Sequence, residues 1–167
     1  MGSFWDSVGV IWPPLVLLLV AHGAPIMARW LLGDRLDAPL DGARNFIDGR
    51  PLLGPGKGWR GVAVSTAATA ASGWLLGVAW WLAVDFALLA MAGDALTSFI
   101  KRRLAIPPHG RAILLDQLLE SLLPLWVLRS AFGMQPAELV ATVTLFTLLD
   151  VLLSPLLHRW HLRRRPY

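Results

Sequence analysis

GVAVSTAATAASGWLLGVAWWLAVDFALLAMAGDALTSFI, residues 61–100, is one continuous apolar stretch of 40 residues. A helix crossing the hydrocarbon core of a bilayer needs about 20 residues, so the stretch is too long for one crossing and fits two. Gly77 and the Trp80-Trp81 pair mark the hairpin between them, with the indole rings at the membrane–water boundary. The same criterion applied outward gives spans at 9–31, 61–79, 82–100, 112–130 and 138–157. The predicted fold class is therefore an all-α integral membrane protein with five transmembrane helices in a single domain, residues 1–167. Pro13, Pro14, Pro25, Pro124 and Pro155 fall within or near spans, where neighbouring helices can satisfy the carbonyls they free.

Composition agrees with this class. The chain is 56% hydrophobic and 16% charged, with nine Trp and a mean hydropathy of +0.57, which is too apolar for a soluble domain of this length. It contains no Cys, which excludes disulfides, a thiolate nucleophile and Cys-ligated metal. The first apolar segment is long, lacks a basic leader and has no small-residue cleavage site, so it reads as a span and not as a signal peptide.

The net charge of +4 is distributed unevenly. Arg35, Arg44, Arg50, Lys57 and Arg60 fill the loop at 33–60, Lys101, Arg102, Arg103 and Arg111 fill the loop at 101–111, and Arg159, Arg163, Arg164 and Arg165 fill the tail. The opposite side has only Arg129 nearby. The positive-inside rule then puts the N-terminus outside and both charged loops and the C-terminus in the cytoplasm.

Around the second loop, Asp94, Ser98 and Lys101 recur at i, i+4 and i+7, one face of a helix, with Arg102 one step round. Asp116 opens span four with Glu120 on its face, so the two helix ends can bring Asp94 and Asp116 within reach of one or two Mg²⁺ ions. Glu120 is an auxiliary ligand in this reading. Ionisable groups at this depth are costly and mark ion, substrate or catalytic sites. In the first loop, glycines at 42, 49, 54, 56, 58 and 61 permit tight turns before a helix N-terminus, with Lys57 and Arg60 placed to hold an anion. The Gly-Lys-Ser/Thr spacing of a P-loop is absent, which excludes that class of ATPase. The bland reading of this loop is a Gly-rich surface linker with topogenic cations, and that of each carboxylate is an ion pair with loop cations. His109 has no His or Cys partner at ligand spacing, which argues against zinc. His22 and Arg29 in span one read first as bundle-facing polar glue, with headgroup binding as the alternative; Asp85, toward the outer side of span three, and Asp150, a supporting partner or packing hydrogen bond in span five, are left out of the catalytic set. The Ser65, Thr66, Thr69 and Ser72 face of span two reads as a close-packing surface.

Gly93-Asp94, Ser98-Phe99-Ile100-Lys101-Arg102-Arg103-Leu104, Gly110 and Leu115-Asp116-Gln117-Leu118 resemble the Gly-Asp, Ser-Phe-Ile-Lys-Arg-Arg and Asp-Gln-Leu elements of the CDP-archaeol synthase family. More distantly they resemble those of the CDP-diacylglycerol synthases. Asp48-Gly49-Arg50, Leu53-Gly54, Gly56-Lys57 and Trp59-Arg60-Gly61 are similar to the family's first-loop elements. The likeness covers about residues 34–121. Two positions depart from the pattern: Gly58 stands where the family has Thr, and Leu119 then Glu120 stand where it has a second Asp.

The resemblance implies a cytidylyltransferase in phospholipid biosynthesis that joins CTP to a lipid phosphate, ether- or acyl-glycerol in type, and releases pyrophosphate. It implies Mg²⁺ on Asp94 and Asp116, with Lys101, Arg102, Lys57 and Arg60 on the triphosphate or lipid phosphate. Asn45, Asp48 and Arg50, with Ser98 and Gln117, would bind nucleotide or order the first loop. The expected partners are CTP and an inner-leaflet lipid phosphate, with no nucleic acid, and the site faces the cytoplasm from the inner membrane. Monomer and homodimer both stay open. A competing reading makes the chain a non-enzymatic membrane subunit or transporter component, with Asp85, His22 and Asp150 forming an ion or proton path. The Asp-rich helix motif of CDP-alcohol phosphotransferases is absent.

Overall fold

The computed structural model describes residues 4–33, 35–106 and 113–159, with side chains described for 6–33, 35–106 and 116–153. Pro107 to Arg111 and Arg163 to Arg165 lie outside the described residues, as does the side chain of Arg159. The chain forms α1 (Phe4–Leu32), α2 (Trp59–Leu75), α3 (Trp80–Arg103), α4 (Ile113–Leu128) and α5 (Pro136–Arg159). No strand occurs among the described residues, where pairing is limited to isolated bridges Pro39–Gly58 and Asn45–Pro51.

All five expected helices are present, and the hairpin falls where Gly77 and the Trp pair put it. The turn is longer than the spans predict and lies earlier, at residues 76–79, because α2 stops at Leu75 and α3 starts at Trp80. Gly77 at φ +72° accepts the left-handed conformation, and Val78 N–H then reaches Gly73 O at 2.8 Å to close the helix end. Three helices are long and apolar enough to cross a membrane: Asp6–Leu32, Trp80–Arg103 and Pro136–Leu153. α2 has 17 residues and α4 has 16, about 25 Å each at 1.5 Å per residue.

Each helix packs on its neighbours in sequence, α5 returns to α1, and α1 also meets α3. The result is a closed ring of five helices. Leu17, Leu18, Phe86, Leu125 and Phe146 fill its core, each at most 2% exposed, and Phe86 meets the ring of Phe132 edge-on at 5.8 Å. Small side chains let α2 approach closely: Ser65 and Thr69 are buried with Gly73, and Ser65 Oγ donates to Ala21 O at 2.8 Å. A Cβ on Gly73 would stand 2.5 Å from that of Ala83 on α3. Trp12, Trp30, Trp59, Trp74, Trp80, Trp81 and Trp126 are all more than half exposed, as rings in interfacial belts are.

Candidate active site

Gly93 decides how α3 meets α4. A Cβ there would fall 2.5 Å from Leu119 O and 3.0 Å from Glu120 Cα, so only glycine admits this approach. The next residue, Asp94, then has its carboxyl group within hydrogen-bonding reach of Glu120. From the first loop, Lys57 Nζ pairs with Asp94 Oδ2. On the far side of Glu120, His22 Nε2 of α1 lies 3.2 Å from Oε2, and its Nδ1 is 2.9 Å from Leu18 O. Phe146 of α5 packs on the imidazole at 5.2 Å.

These groups line one cavity of about 290 Å³ between the helices and the first loop. Arg29 and Asp150 also line it. Gln117 Nε2 donates to Asp150 Oδ2 at 3.0 Å, so Gln117 supports the cavity from behind. The polar lining consists of carboxylate oxygens, a lysine, an arginine and an imidazole. Asp94 and Glu120 present adjacent hard oxygen donors, and Mg²⁺ is commonly held by one or two carboxylates that share it with substrate phosphates. The pair fits that ion.

Asp116 is not among the residues that line this cavity. Its carboxylate is held 2.9 Å from Lys101 Nζ, nearer the C-terminal end of α3 and the N-terminal end of α4, so Glu120 and not Asp116 stands beside Asp94. Arg102 is buried and donates from Nη1 to Ile106 O at 2.8 Å, while its Nε lies over Gly54. Arg60 is turned away as well: it pairs with Asp37 Oδ2 at 3.1 Å and donates to Gly33 O and Arg35 O. Ser98 is buried and lies off the cavity wall.

The first loop is a built element. The Asp41 carboxylate accepts the N–H groups of Ala43 and Leu53 at 2.9 Å each, and that of Gly54 at 3.4 Å. Partial burial works to raise the Asp41 carboxyl, but these donors outweigh it and hold the group below the ordinary carboxylate range. At the loop tip the Asn45–Pro51 bridge closes a hairpin-like turn. Arg50 Nη1 donates to Arg103 O at 2.7 Å, and Arg103 pairs with Asp48 and donates to Pro51 O at 2.6 Å. The Arg103 guanidinium lies against the rings of Phe46 and Phe99, 4.8 and 4.9 Å from their centroids, while the two rings meet edge-on at 5.3 Å. Asp48 and Arg50, two of the residues expected to bind nucleotide or order the loop, tie it to the end of α3.

A CarS-like family model, described as CDP-archaeol synthase, matches residues 8–87 and 77–162. The chain belongs to that family. A CDP-archaeol synthase of Pyrobaculum aerophilum is 34% identical over 155 residues, covering 90% of this chain and 85% of the relative. One of Hyperthermus butylicus is 40% identical over 110 residues, 62% of each chain. A solved intramembrane enzyme for archaeal membrane lipid biosynthesis superposes with a TM-score of 0.68 at 33% identity, over 82% of this chain and 90% of that one. Membership of the CDP-archaeol synthase family makes the chain a nucleotidyltransferase, in agreement with its expected class. The ion-path alternative loses its geometry too, because Asp85 is exposed on α3 and absent from the cavity that His22 and Asp150 share.

Sequence reasoning left Asp150 out of the catalytic set and favoured packing over headgroup binding for His22 and Arg29, all three of which line this cavity. His22 and Arg29 sit seven residues apart on one face of α1, and Asp150 lies inside α5. Their signal was present: each is an ionisable side chain inside an apolar span, which is where function concentrates.

Proposed function

We propose that this CDP-archaeol synthase homologue transfers the cytidylyl group of CTP to a lipid phosphate, with Mg²⁺, at the inner face of the cytoplasmic membrane. The observation that carries the reading is the polar cavity, where Asp94, Glu120 and Lys57 meet inside a helix ring of this family. A phosphate oxygen of the lipid attacks the α-phosphorus of CTP. The bond from that phosphorus to the bridging oxygen of the β-phosphate breaks, and pyrophosphate leaves. The attacking oxygen is already ionised near neutral pH, so no general base and no covalent residue is required.

Catalysis is then positioning and charge neutralisation. Asp94 and Glu120 are the residues that hold Mg²⁺, which when bound offsets the charge of the triphosphate. Lys57 is carried by the first loop to the same carboxylate and can share its charge with phosphate oxygens. Asp116 and Lys101 form a second charged pair nearer the cytoplasm, on the path by which a nucleotide enters. In this arrangement all five helices cross the bilayer with the N-terminus outside, which puts both loops on the side where CTP is available.

The deciding experiment is pyrophosphate release by the full chain in nanodiscs, supplied with CTP, Mg²⁺ and dialkyl- or diacylglycerol phosphate. Release that needs lipid, Mg²⁺ and Asp94 is the expected result. Absence of release with every lipid phosphate overturns the proposal.

A further inference from the structure

We infer that the tip of the first loop, at Phe46 and Ile47, is a membrane-contact element: it lies on the lipid-facing stripe of α3 and sets Ile47 into the bilayer at the boundary between headgroups and acyl chains. α3 is long and apolar enough to cross a membrane. Along it Leu88, Ala92 and Leu96 are exposed and recur at helical spacing, so they form one apolar stripe that the described helices leave uncovered. Phe99 and Arg103 continue that stripe at the same spacing, and the loop tip sits on these two residues. Phe46 meets the ring of Phe99 edge-on at 5.3 Å, Asp48 pairs with Arg103, and Arg50 Nη1 donates to Arg103 O at 2.7 Å.

Depth, turn chemistry and charge agree on the bilayer as the partner. Phe99 lies four residues, about 6 Å, inside the end of α3 marked by Arg103, so a ring packed on it stands in the interfacial layer and not out in the aqueous phase. Ile47, next to Phe46, is 94% exposed. It holds a corner of the turn that Gly49 N–H closes onto Phe46 O at 2.9 Å, a place where proline or a polar residue serves the turn better than a β-branched apolar one. The burial that Ile47 lacks within the fold is supplied by lipid. Residues 44–50 and Arg103 together carry three arginines and one acid, Asp48. Guanidinium groups are favourable beside the phosphate layer while an apolar side chain enters beneath it. The loop that carries Lys57 to the cavity is thus held to the membrane as well as to α3.

The test exploits the absence of native Cys. Ile47→Cys and Leu96→Cys, each in the full chain, are labelled with the environment-sensitive dye NBD and placed in nanodiscs, where aqueous iodide reaches both faces. Quenching is measured with iodide and with lipids brominated high or low in the acyl chain. The label at 47 should be quenched by the high bromines, with iodide quenching several-fold below that of the free dye. The label at 96, about 10 Å deeper along α3 than Arg103, should respond more to the low bromines. Full iodide access at 47 with no effect of bromine would overturn the assignment. So would the absence of any bromine effect at 96, because the stripe would then not face lipid. Shielding of the 47 label from iodide without bromine quenching, together with an Ile47→Cys disulfide between two chains, would put a second copy on the tip and overturn the bilayer as its partner.

Discussion

Asp94, Glu120 and Asp116 are three acids on two helices, and their surroundings give them different work. Asp94→Asn and Glu120→Gln should each lower the rate of pyrophosphate release on the order of 10²-fold or more. Asp116→Asn, which breaks only the pair with Lys101, should cost far less. Equal losses for all three would return Asp116 to the metal site. Asp41 offers a pH test. Its carboxyl is held below the ordinary value, so the charged form stabilises the folded loop above the ordinary carboxylate range, and that contribution fades as pH falls through the lowered one. Proteolysis within residues 42–56 should therefore accelerate in acid for the wild type, and Asp41→Asn should remove most of that dependence. At this scale Asp94, Lys57 and Glu120 were legible from charge at a helix end. Asp116, Arg60 and Arg102 were equally legible as charges, yet what each faces depends on helix rotation and loop path, which spacing along one element does not fix.

The elements depend on a few close approaches. Gly93→Ala would drive a methyl into the backbone of α4 and should destabilise the fold by about 1–3 kcal/mol, while separating Asp94 from Glu120. Thermal unfolding in detergent together with turnover would read both effects. The first loop is pinned at its tip by Arg103 and beside α2 by the Arg60–Asp37 pair. Arg103→Ala should speed amide exchange across residues 44–52 and leave exchange in α1 unchanged. The helices and the position of their hairpin could be read from apolar run length and Gly77. The clasp could not: Arg103 looked like one more topogenic cation, and only the folded loop puts Phe46, Asp48 and Phe99 around it. Asp37 is a further case, since its Oδ1 lies 1.7 Å from where a Cβ on residue 58 would be. A side chain at 58 would therefore need Asp37 to move.

For the whole molecule, the closed ring explains how five modest helices support one charged cavity. The proposed orientation has a direct check in the absence of native Cys. A cysteine replacing Arg44 should react with an impermeant maleimide only from the cytoplasmic side, and one replacing Ala79 only from outside. The reverse pattern would overturn the proposed topology. Run lengths and charge bias gave the number of helices, but not which of them enclose the cavity, because closure of α5 on α1 is a contact between the two ends of the sequence.

That closure bears on how the protein is made. Chain synthesis delivers His22 with the first helix, Asp94 with the third, Glu120 with the fourth, and Phe146 and Asp150 only with the last. Until α5 arrives, Asp94 and Glu120 can meet through the packing of α3 on α4, but their cavity lacks the wall that Phe146 and Asp150 supply. The charged cavity is therefore enclosed only at the last step of insertion.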